Sequence, residues 1–378
     1  MTVEDAVGEL RAEGIQRIHL LAWRDLDDGD AGGSELHAHE LMSRWASCGL
    51  EVTSRTSSAP GLPAQAQRDG YRVVRRGSRY SSFPRTVGAE MARTMGRYDA
   101  LVEVWNGVPF LSPVWCRKPR LTLLHHVHGP MWDQLFPPRM AAMGRLMETR
   151  LAPPLYRRGT VVALSESTRH ELLGLGFHPD RVVTVSPGAP TWYAPGAARS
   201  ERPLVVAVGR LAPVKRFDAL VRAVAASRVE VPDLELVIVG SGPERGHIEA
   251  AIDEVGGRGW VRLAGHVPSA ELLDLYQRAW VVASASLAEG WGLSLTEGAA
   301  CATPAVATDI VGHQSSVVDG VTGLLAPLDA LDVALTKVLI DPELRQRLGD
   351  AALARSATLS WDHTVEAITH QLTAVARR

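Results

Sequence analysis

The sequence predicts an α/β protein with two domains, each built around a parallel sheet. Short apolar runs alternate with segments of helical periodicity from one end of the chain to the other, which is the pattern of βα units. The 378 residues exceed one ordinary core, and a hydrophobic share of 46% is enough for two. A stretch rich in proline, glycine and alanine at 194–203 interrupts the alternation and is the predicted linker. We therefore expect an N-terminal domain over 1–193 and a C-terminal domain over 200–360.

The composition argues against several kinds of protein. A formal net charge of -2 gives no general attraction to nucleic acid. The cysteines, Cys48, Cys116 and Cys301, lie far apart, which disfavours a disulfide framework or a zinc cluster and fits a reducing compartment. The N-terminus is acidic and has no apolar signal core, and no window approaches the roughly 20 apolar residues of a membrane span. We expect a cytoplasmic protein, with peripheral attachment to the inner face of a membrane left open.

The first predicted strand, Ile18 to Trp23, leads into a glycine turn and a long helix. Gly32 and Gly33 precede a helical pattern that runs from Leu36 to Cys48. A helix N-terminus that follows a glycine turn can bind an anion, although two glycines can also serve only to permit a tight turn.

An acidic run lies between that strand and the glycine turn. Asp25-Leu-Asp27 has the D-x-D form that can hold a divalent cation on a nucleotide diphosphate. Asp28 and Asp30 continue the run, and runs of like charge are usually solvated. We therefore expect a solvated loop and no catalytic metal.

Arginine is concentrated in one segment of the N-terminal half. Eight arginines lie between Arg68 and Arg97, interleaved with Tyr71, Tyr80 and Phe83. A solvated face is the usual interpretation of such a run. The functional alternative is a patch for an anionic lipid headgroup or a phosphorylated sugar, with peripheral membrane contact through this segment.

Histidines follow the predicted strand from Leu121 to His125. In an extended chain His126 and His128 point to one side and His125 to the other. No acidic partner follows nearby in the sequence, so a metal site is not indicated. These side chains either contact a ligand at the end of the sheet or form hydrogen bonds there.

The second half begins with a buried strand, Leu204 to Val208. Arg210 and Lys215 follow just beyond its end, where ligands collect in open α/β sheets. Two later strands end in Gly240 and in Val267.

The most informative stretch runs from Trp280 to Ala326. An apolar strand gives way to a turn with Gly290 and Gly292 and then to a helical segment, which indicates a phosphate site at a helix start. Glu289 and Glu297 frame this turn, about 12 Å apart if the segment between them were fully helical.

These motifs together resemble the signature of family 4 retaining glycosyltransferases of the GT-B fold. Glu289 and Glu297 are separated by seven residues, and Ala-Ala-Cys-Ala-Thr-Pro and later Asp319-Gly-Val-Thr-Gly-Leu-Leu follow. The Gly-Arg-Leu-x-x-x-Lys segment at 209–215 and the Gly-Gly-x-Glu turn at 32–35 are similar to family motifs as well. The resemblance covers nearly the whole chain.

The resemblance implies a fold and a set of residue roles. Two Rossmann-like domains would face each other across a cleft, and the helix at 361–378 would cross back to the N-terminal domain. Glu289 would contact the donor sugar, Glu297 the ribose and the backbone of Val267 the base. The amides of Gly290, Trp291, Gly292 and Leu293 would bind the diphosphate, and Arg210 and Lys215 would neutralise its charge. Gly33 and Gly240 would lie near the phosphates.

The resemblance also implies an active-site histidine, for which His125 is favoured and His126 is next. The sequence departs from the family at Gly312-His313, where many relatives carry two glycines followed by a glutamate.

The expected activity is transfer of a sugar from a nucleotide-diphosphate sugar to a hydroxyl acceptor, with retention and without a metal or other cofactor. The acceptor could be a saccharide, a lipid-linked molecule or a small molecule. The alternatives are a sugar-nucleotide epimerase or phosphorylase of the same fold, or a catalytically silent nucleotide-sugar-binding protein. The donor base, the sugar and the acceptor stay open.

Overall fold

A computed structural model describes residues 2–129 and 131–378, apart from the side chains of residues 134 and 135. The chain forms two compact units. The first unit contains residues 2–187 and Trp361–Arg378, and the second contains Gly188–Ser360.

The boundary between the units differs from the predicted linker. Residues 188–193 were expected in the N-terminal domain but belong to the second unit. The Ala189 amide donates a hydrogen bond to the Leu359 carbonyl at 3.0 Å, and Tyr193 lies in the core of the second unit. These long-range contacts place the segment in the second unit, whereas the composition of 194–203 marked only the stretch that follows it.

The first unit is built on an eight-stranded sheet with the order β3-β4-β2-β1-β5-β6-β7-β8. All neighbouring strands are parallel except β3 and β4. The strands are β1 Arg17–Leu21, β2 Glu51–Thr56, β3 Gln65–Arg68, β4 Tyr71–Arg75, β5 Ala100–Trp105, β6 Arg120–Leu124, β7 Val161–Ala163 and β8 Val182–Thr184.

Helices cover both faces of this sheet, and its central strands are therefore buried on both sides. They are α1 Val3–Ala12, α2 Gly33–Ser47, α3 Ser82–Met91, α4 Ser112–Trp115, α5 Met131–Leu135, α6 Pro138–Leu146, α7 Pro153–Tyr156 and α8 Glu166–Gly174, with a π-helical turn at Met147–Leu151.

The second unit is built on a six-stranded, fully parallel sheet with the order β11-β10-β9-β12-β13-β14. Its strands are β9 Leu204–Val208, β10 Glu235–Val239, β11 Val261–Gly265, β12 Val281–Ser284, β13 Ala305–Thr308 and β14 Gly323–Ala326. Its helices are α9 Phe217–Ser227, α10 Arg245–Glu254, α11 Ser269–Arg278, α12 Leu293–Ala300, α13 Val311–Ser316, α14 Leu331–Ile340 and α15 Pro342–Ser356.

The last helix, α16 (Trp361–Ala376), packs on the first unit, as the resemblance implied. Val365, Ile368 and Leu372 are fully buried in the core of that unit. The indole of Trp45 donates a hydrogen bond to the Thr369 hydroxyl at 2.8 Å. In the described part of the chain no helix is long and apolar enough to cross a bilayer.

Candidate active site

The second unit brings two sequence motifs together where its strand order reverses. β9 lies between β10 and β12, so the loops that follow β9 and β12 leave the sheet in a crevice at its carboxyl edge. The amide of Leu287 donates a hydrogen bond to the Val214 carbonyl at 2.8 Å and joins the two loops. The stretch around Glu289 and the stretch around Lys215 therefore form one site.

Lys215 and Glu289 are in direct contact. The Lys215 ammonium and the Ser286 hydroxyl both donate hydrogen bonds to Oε1 of Glu289, the latter at 2.7 Å. Burial alone would raise the pKa of Glu289, but the Lys215 charge, the nearby His313 ring and these hydrogen bonds outweigh it and lower the pKa. The carboxylate is thus ionised at neutral pH, beside a cation.

The stem of Lys215 packs against Gly209, the residue that follows β9. A Cβ at that residue would lie 3.4 Å from Cε of Lys215, so the lysine stem runs close to the glycine backbone. Arg210, the next residue, is half-buried at the same edge of the sheet. The two cations predicted for the site therefore follow the same strand.

The turn after Glu289 ends at the start of α12. Gly292 has a φ of 93°, which favours glycine, and a Cβ there would meet His313 and Ser316 at 3.2 Å. No side-chain hydrogen bond from the N-cap Gly292 caps α12, and of its first three amides only that of Leu295 donates, among the described residues, to a backbone acceptor, the Gly292 carbonyl at 3.0 Å. Trp291 is buried, and its indole N–H donates a hydrogen bond to Thr296 Oγ1 at 2.8 Å, so its side chain is part of the protein interior.

Glu297 occupies a separate position within α12. The Tyr276 hydroxyl donates a hydrogen bond to its Oε2 at 2.7 Å. Burial raises the pKa of Glu297 to about 7, with the Tyr276 hydrogen bond acting in the opposite direction. Because α12 begins only at Leu293, the fully helical spacing to Glu289 does not apply.

Gly240 and Val267 lie at the ends of neighbouring strands. A Cβ at Gly240 would come within 1.9 Å of the Gly209 carbonyl oxygen, so only glycine lets these two strand ends approach. The Val267 side chain is buried in the core, and only its backbone could contact a nucleotide base.

His313 is a site residue that the sequence argument did not assign. It is fully buried, its Nδ1 lies 2.8 Å from the Thr308 carbonyl, and its Nε2 has no hydrogen-bond partner among the described residues. Burial lowers the pKa of His313 despite the opposing charge of Glu289. A Cβ at the preceding Gly312 would lie 2.2 Å from the Glu289 carbonyl oxygen. The departure from the family pattern at Gly312-His313 was the feature of the sequence that could have identified His313 as a site residue.

In the first unit, Gly33 is the first residue of α2 and is exposed. Glu35 accepts hydrogen bonds from the Gly32 amide at 2.8 Å and from the Ser34 hydroxyl at 2.9 Å. The Asn106 amide side chain reaches the same hydroxyl at 3.2 Å and ties the end of β5 to this turn.

The histidines after β6 lie on opposite sides of the chain, as the strand alternation predicts. His125 is buried, with its Nε2 3.2 Å from Nδ1 of His37, and burial followed by the charges of His126 and His128 lowers its pKa to about 3. His126 is half-buried and stacks on His128 with ring centroids 4.3 Å apart. His125 is therefore neutral at physiological pH.

An acidic partner of the histidine loop comes from 20 residues further along the chain, beyond the nearby sequence in which none was expected. Glu148 accepts hydrogen bonds from the amides of His128 and Gly129 and from the indole of Trp132, at 2.8 to 3.0 Å. Its carboxylate also lies 3.4 Å from Nδ1 of His128. This buried glutamate fixes the loop after β6.

The acidic run is also not a solvated loop. Asp25 is 5% exposed and accepts two hydrogen bonds at 2.7 Å from Arg75, which is 1% exposed. Asp27 pairs with Arg68 at 2.8 Å, and Arg79 bonds Asp30. Part of the arginine-rich segment therefore neutralises the acidic run, and its face is only partly solvated.

This architecture defines the class of the protein. Two Rossmann-like units, with a last helix that returns to the first, form the GT-B fold of glycosyltransferases. A solved sucrose-phosphate synthase from Thermosynechococcus elongatus has the same fold, with a TM-score of 0.80 at 23% identity, covering 96% of this chain and 98% of that one.

Sequence comparisons identify the family. The model for glycosyl transferases group 1 matches residues 190–355, and the model for Glycosyltransferase Family 4 matches residues 31–193. A D-inositol 3-phosphate glycosyltransferase from Kribbella flavida is 30% identical over 97% of this chain and 96% of its own length. A GDP-mannose-dependent alpha-(1-6)-phosphatidylinositol monomannoside mannosyltransferase from Mycolicibacterium smegmatis is 30% identical over 76% of this chain and 80% of its own.

The chain therefore belongs to Glycosyltransferase Family 4. It is an enzyme that transfers a sugar from a nucleotide-activated donor to a hydroxyl acceptor. The expected fold class, family and general activity are confirmed.

Proposed function

We propose that this glycosyltransferase retains the anomeric configuration of its donor and needs no metal ion. The observation that supports a metal-independent site is the start of α12, which no N-cap side chain caps, beside the contact between Lys215 and Glu289, whereas retention is what the resemblance to the family implies. Helix amides, a lysine and the nearby Arg210 can balance the charge of a nucleotide diphosphate, which is the task that a divalent cation performs in other enzymes.

The residues of the second unit would divide the donor among them. The amides from Gly290 to Leu293 would hold the diphosphate, and Lys215 and Arg210 would stabilise it as it leaves. Glu289, ionised in the free protein, would accept hydrogen bonds from the donor sugar hydroxyls. Glu297 would accept them from the ribose.

Retention requires that the acceptor hydroxyl attack from the face that the leaving group occupies. In this proposal a diphosphate oxygen takes the proton of the acceptor as the new glycosidic bond forms. The proton therefore needs no general base on the protein. In the first unit, His126, which is half-buried, or His125 would contact the donor sugar or the acceptor.

Two measurements test this part of the proposal. Proton NMR of the product, taken before any mutarotation, reports the anomeric configuration relative to the donor, and an inverted product would overturn retention. Turnover in the presence of EDTA, with and without added magnesium, tests the metal requirement. Activity that vanishes with EDTA and returns with magnesium would refute a metal-independent site.

For the acceptor, we propose a phosphorylated cyclitol, either free or as a lipid headgroup. Inositol carrying a phosphate is common to D-inositol 3-phosphate and phosphatidylinositol monomannoside, the molecules for which the two relatives are named. A thermal-shift screen of UDP, GDP, ADP and TDP and their sugar conjugates would identify the donor. Turnover with that donor would then be measured on inositol phosphates and phosphatidylinositol, with unphosphorylated inositol as the control.

For a lipid-linked acceptor, we propose peripheral contact with the membrane through the segment from Arg68 to Arg97. Tyr80 and Met91 are 66% and 65% exposed at the two ends of α3, and Arg93 and Arg97 are exposed beyond it. Aromatic, aliphatic and cationic side chains together favour an anionic membrane surface. Co-sedimentation with vesicles that does not depend on anionic lipid would refute this contact.

A further inference from the structure

The first unit contains a cavity of about 330 Å³. It lies between α3 and the sheet strands β2 and β4, because Arg55 of β2 reaches the Thr86 hydroxyl of α3 at 3.2 Å. Four arginines line it together with Gln65 and Met95: Arg55, Arg72, Arg76 and Arg85.

These four arginines differ from three other arginines of the same region. Arg68, Arg75 and Arg79 each pair with aspartates of the acidic run. By contrast, within the described residues none of the four that line the cavity has a carboxylate within 4.0 Å of its guanidinium nitrogens. The cavity therefore concentrates positive charge that no ion pair balances.

Arg55 forms the floor of the cavity and is only 3% exposed. Besides Thr86, the one side-chain hydrogen-bond partner of its guanidinium within the described residues is the Met95 sulfur, at 3.7 Å. Glu90 is the acid that influences it from α3, but both carboxylate oxygens of Glu90 lie 3.0 Å from Nδ1 of His19. Burial and the charge of Arg76 lower the pKa of Arg55. A buried cation with neutral contacts is costly unless an anion compensates it.

We propose that this cavity binds a phosphate-bearing group. Guanidinium groups match phosphate oxygens in pairs, and four of them around one cavity suit a phosphomonoester or a diphosphate better than a single carboxylate. The volume is at the lower end of the range for small-molecule sites, which fits a phosphorylated headgroup or a small soluble phosphate. Arg76 and Arg85 are exposed and lie at the mouth, whereas Arg55 lies at the floor.

The cavity is separate from the histidines of the candidate active site. β4 and β6 are four places apart in the sheet order, which corresponds to roughly 19 Å at the usual spacing of strands. The inference rests on the geometry of the first unit and does not depend on the proposed mechanism or acceptor.

The direct test is isothermal titration of the full-length protein with inorganic pyrophosphate, in a Lys215→Gln background that weakens the donor site. We expect one remaining site, whose affinity falls at least tenfold in Arg76→Gln/Arg85→Gln. The matched control is Arg157→Gln/Arg158→Gln, two exposed arginines of the same unit that do not line the cavity. Equal binding by the two double variants would overturn the proposal.

A second measurement separates a ligand role from a structural one. If Arg55 binds an anion, Arg55→Met should raise the melting temperature of the protein without phosphate. In the Lys215→Gln background it should also abolish the stabilisation that pyrophosphate confers. A lower melting temperature with the stabilisation retained would show that Arg55 only supports the fold. Nucleotide binding by Arg55→Met with Lys215 intact serves as the folding control.

Vesicles distinguish the two sources of the phosphate. Binding to phosphatidylcholine vesicles that contain phosphatidic acid, lost in Arg76→Gln/Arg85→Gln, would assign the cavity to a lipid headgroup. Pyrophosphate binding without such vesicle binding would assign it to a soluble phosphate. If the parent protein binds neither pyrophosphate nor these vesicles, the proposed site is refuted.

Discussion

The two units each place a glycine turn before a helix, but the two helix starts differ. At α2, Gly32 and Gly33 lead into a turn in which the Gly32 amide donates a hydrogen bond to the Glu35 carboxylate at 2.8 Å. At α12, Gly290 and Gly292 lead into a start that no described side chain caps. The first helix start carries its own anion, and the second is available to an external one.

The residue at the third helical position decides the difference. In α2 this residue is Glu35, whose side chain can turn back to the cap. In α12 it is Leu295, which is 2% exposed and packs in the core. A glycine turn before a helix is therefore a candidate phosphate site only when no acid at this position occupies it. The comparison supports α12, more than α2, as the place for the donor diphosphate.

The largest effect that we expect is on catalysis in the second unit. Glu289→Gln should lower kcat/KM about 100-fold, the size usual for losing one preorganised electrostatic contact, because the ionised carboxylate and its pairing with Lys215 disappear. Initial rates with a saturating acceptor would measure it. Glu271→Gln, an exposed glutamate of α11, is the control. Wild-type turnover in Glu289→Gln would remove this residue from the donor site.

In the first unit the corresponding change should act on stability. Glu35→Gln should lower the free energy of unfolding by about 2 kcal/mol, because the neutral side chain weakens the cap and leaves the buried Arg24 without its carboxylate. Urea denaturation would measure the loss. Asp5→Asn alters a similar but exposed cap at α1 and should cost less. A loss of donor affinity without a loss of stability would show that α2 binds the donor instead.

Glu297 should make nucleotide binding depend on pH. The free protein holds this proton up to about pH 7, and ribose hydroxyls donate to the ionised form, so binding releases the proton. Affinity should therefore rise with pH up to about 7, by at most tenfold per pH unit, and then level off. Titration calorimetry in buffers of different ionisation enthalpy would detect the released proton. A pH profile that is unchanged in Glu297→Gln would contradict this role.

The raised pKa of Glu297 should also make stability depend on pH, and stability should fall with rising pH where nucleotide affinity rises. The unfolded chain releases the proton near its ordinary pKa of 4.5, whereas the folded protein holds it to about 7. The free energy of unfolding should therefore fall as the pH rises through this interval, and Glu297→Gln should remove that part of the decline.

The smallest effect should come from the glycines themselves. Gly292→Ala should destabilise the protein by about 1 kcal/mol, because its φ of 93° is unfavourable for alanine. Gly32→Ala should cost less, since Gly32 has a φ of -147° and a Cβ there would meet only the Glu35 carboxylate at 3.7 Å. Equal costs, measured by urea denaturation, would argue that backbone conformation does not separate the two turns.

The sequence predicts the features that depend on local signals. Alternating apolar runs locate most of the strands, although not β3 and β4 in the arginine-rich segment, and the glycines mark turns where helices begin. The histidine alternation after β6 follows from the geometry of an extended chain. The contact between Lys215 and Glu289 agrees with the motifs that the resemblance brought together, although the roles of these residues are still predictions.

The sequence does not predict the polar pairs that the tertiary fold creates. Asp25 and Arg75 are 50 residues apart, and each lies in a run of like charge that would be solvated if it stood alone. Glu148 follows His128 by 20 residues and reaches it from a helix whose path cannot be read from local periodicity. Such pairs become visible only when both chain segments have been placed.

The position of α16 has a consequence for how the protein forms on the ribosome. The second unit is contiguous in sequence and can fold as soon as residue 360 has emerged. The first unit begins earlier but needs α16, which buries Ile368 and Leu372 and takes the hydrogen bond of Trp45. The half that is made first is therefore completed last, because the apolar face that α16 covers cannot be buried before α16 has been made.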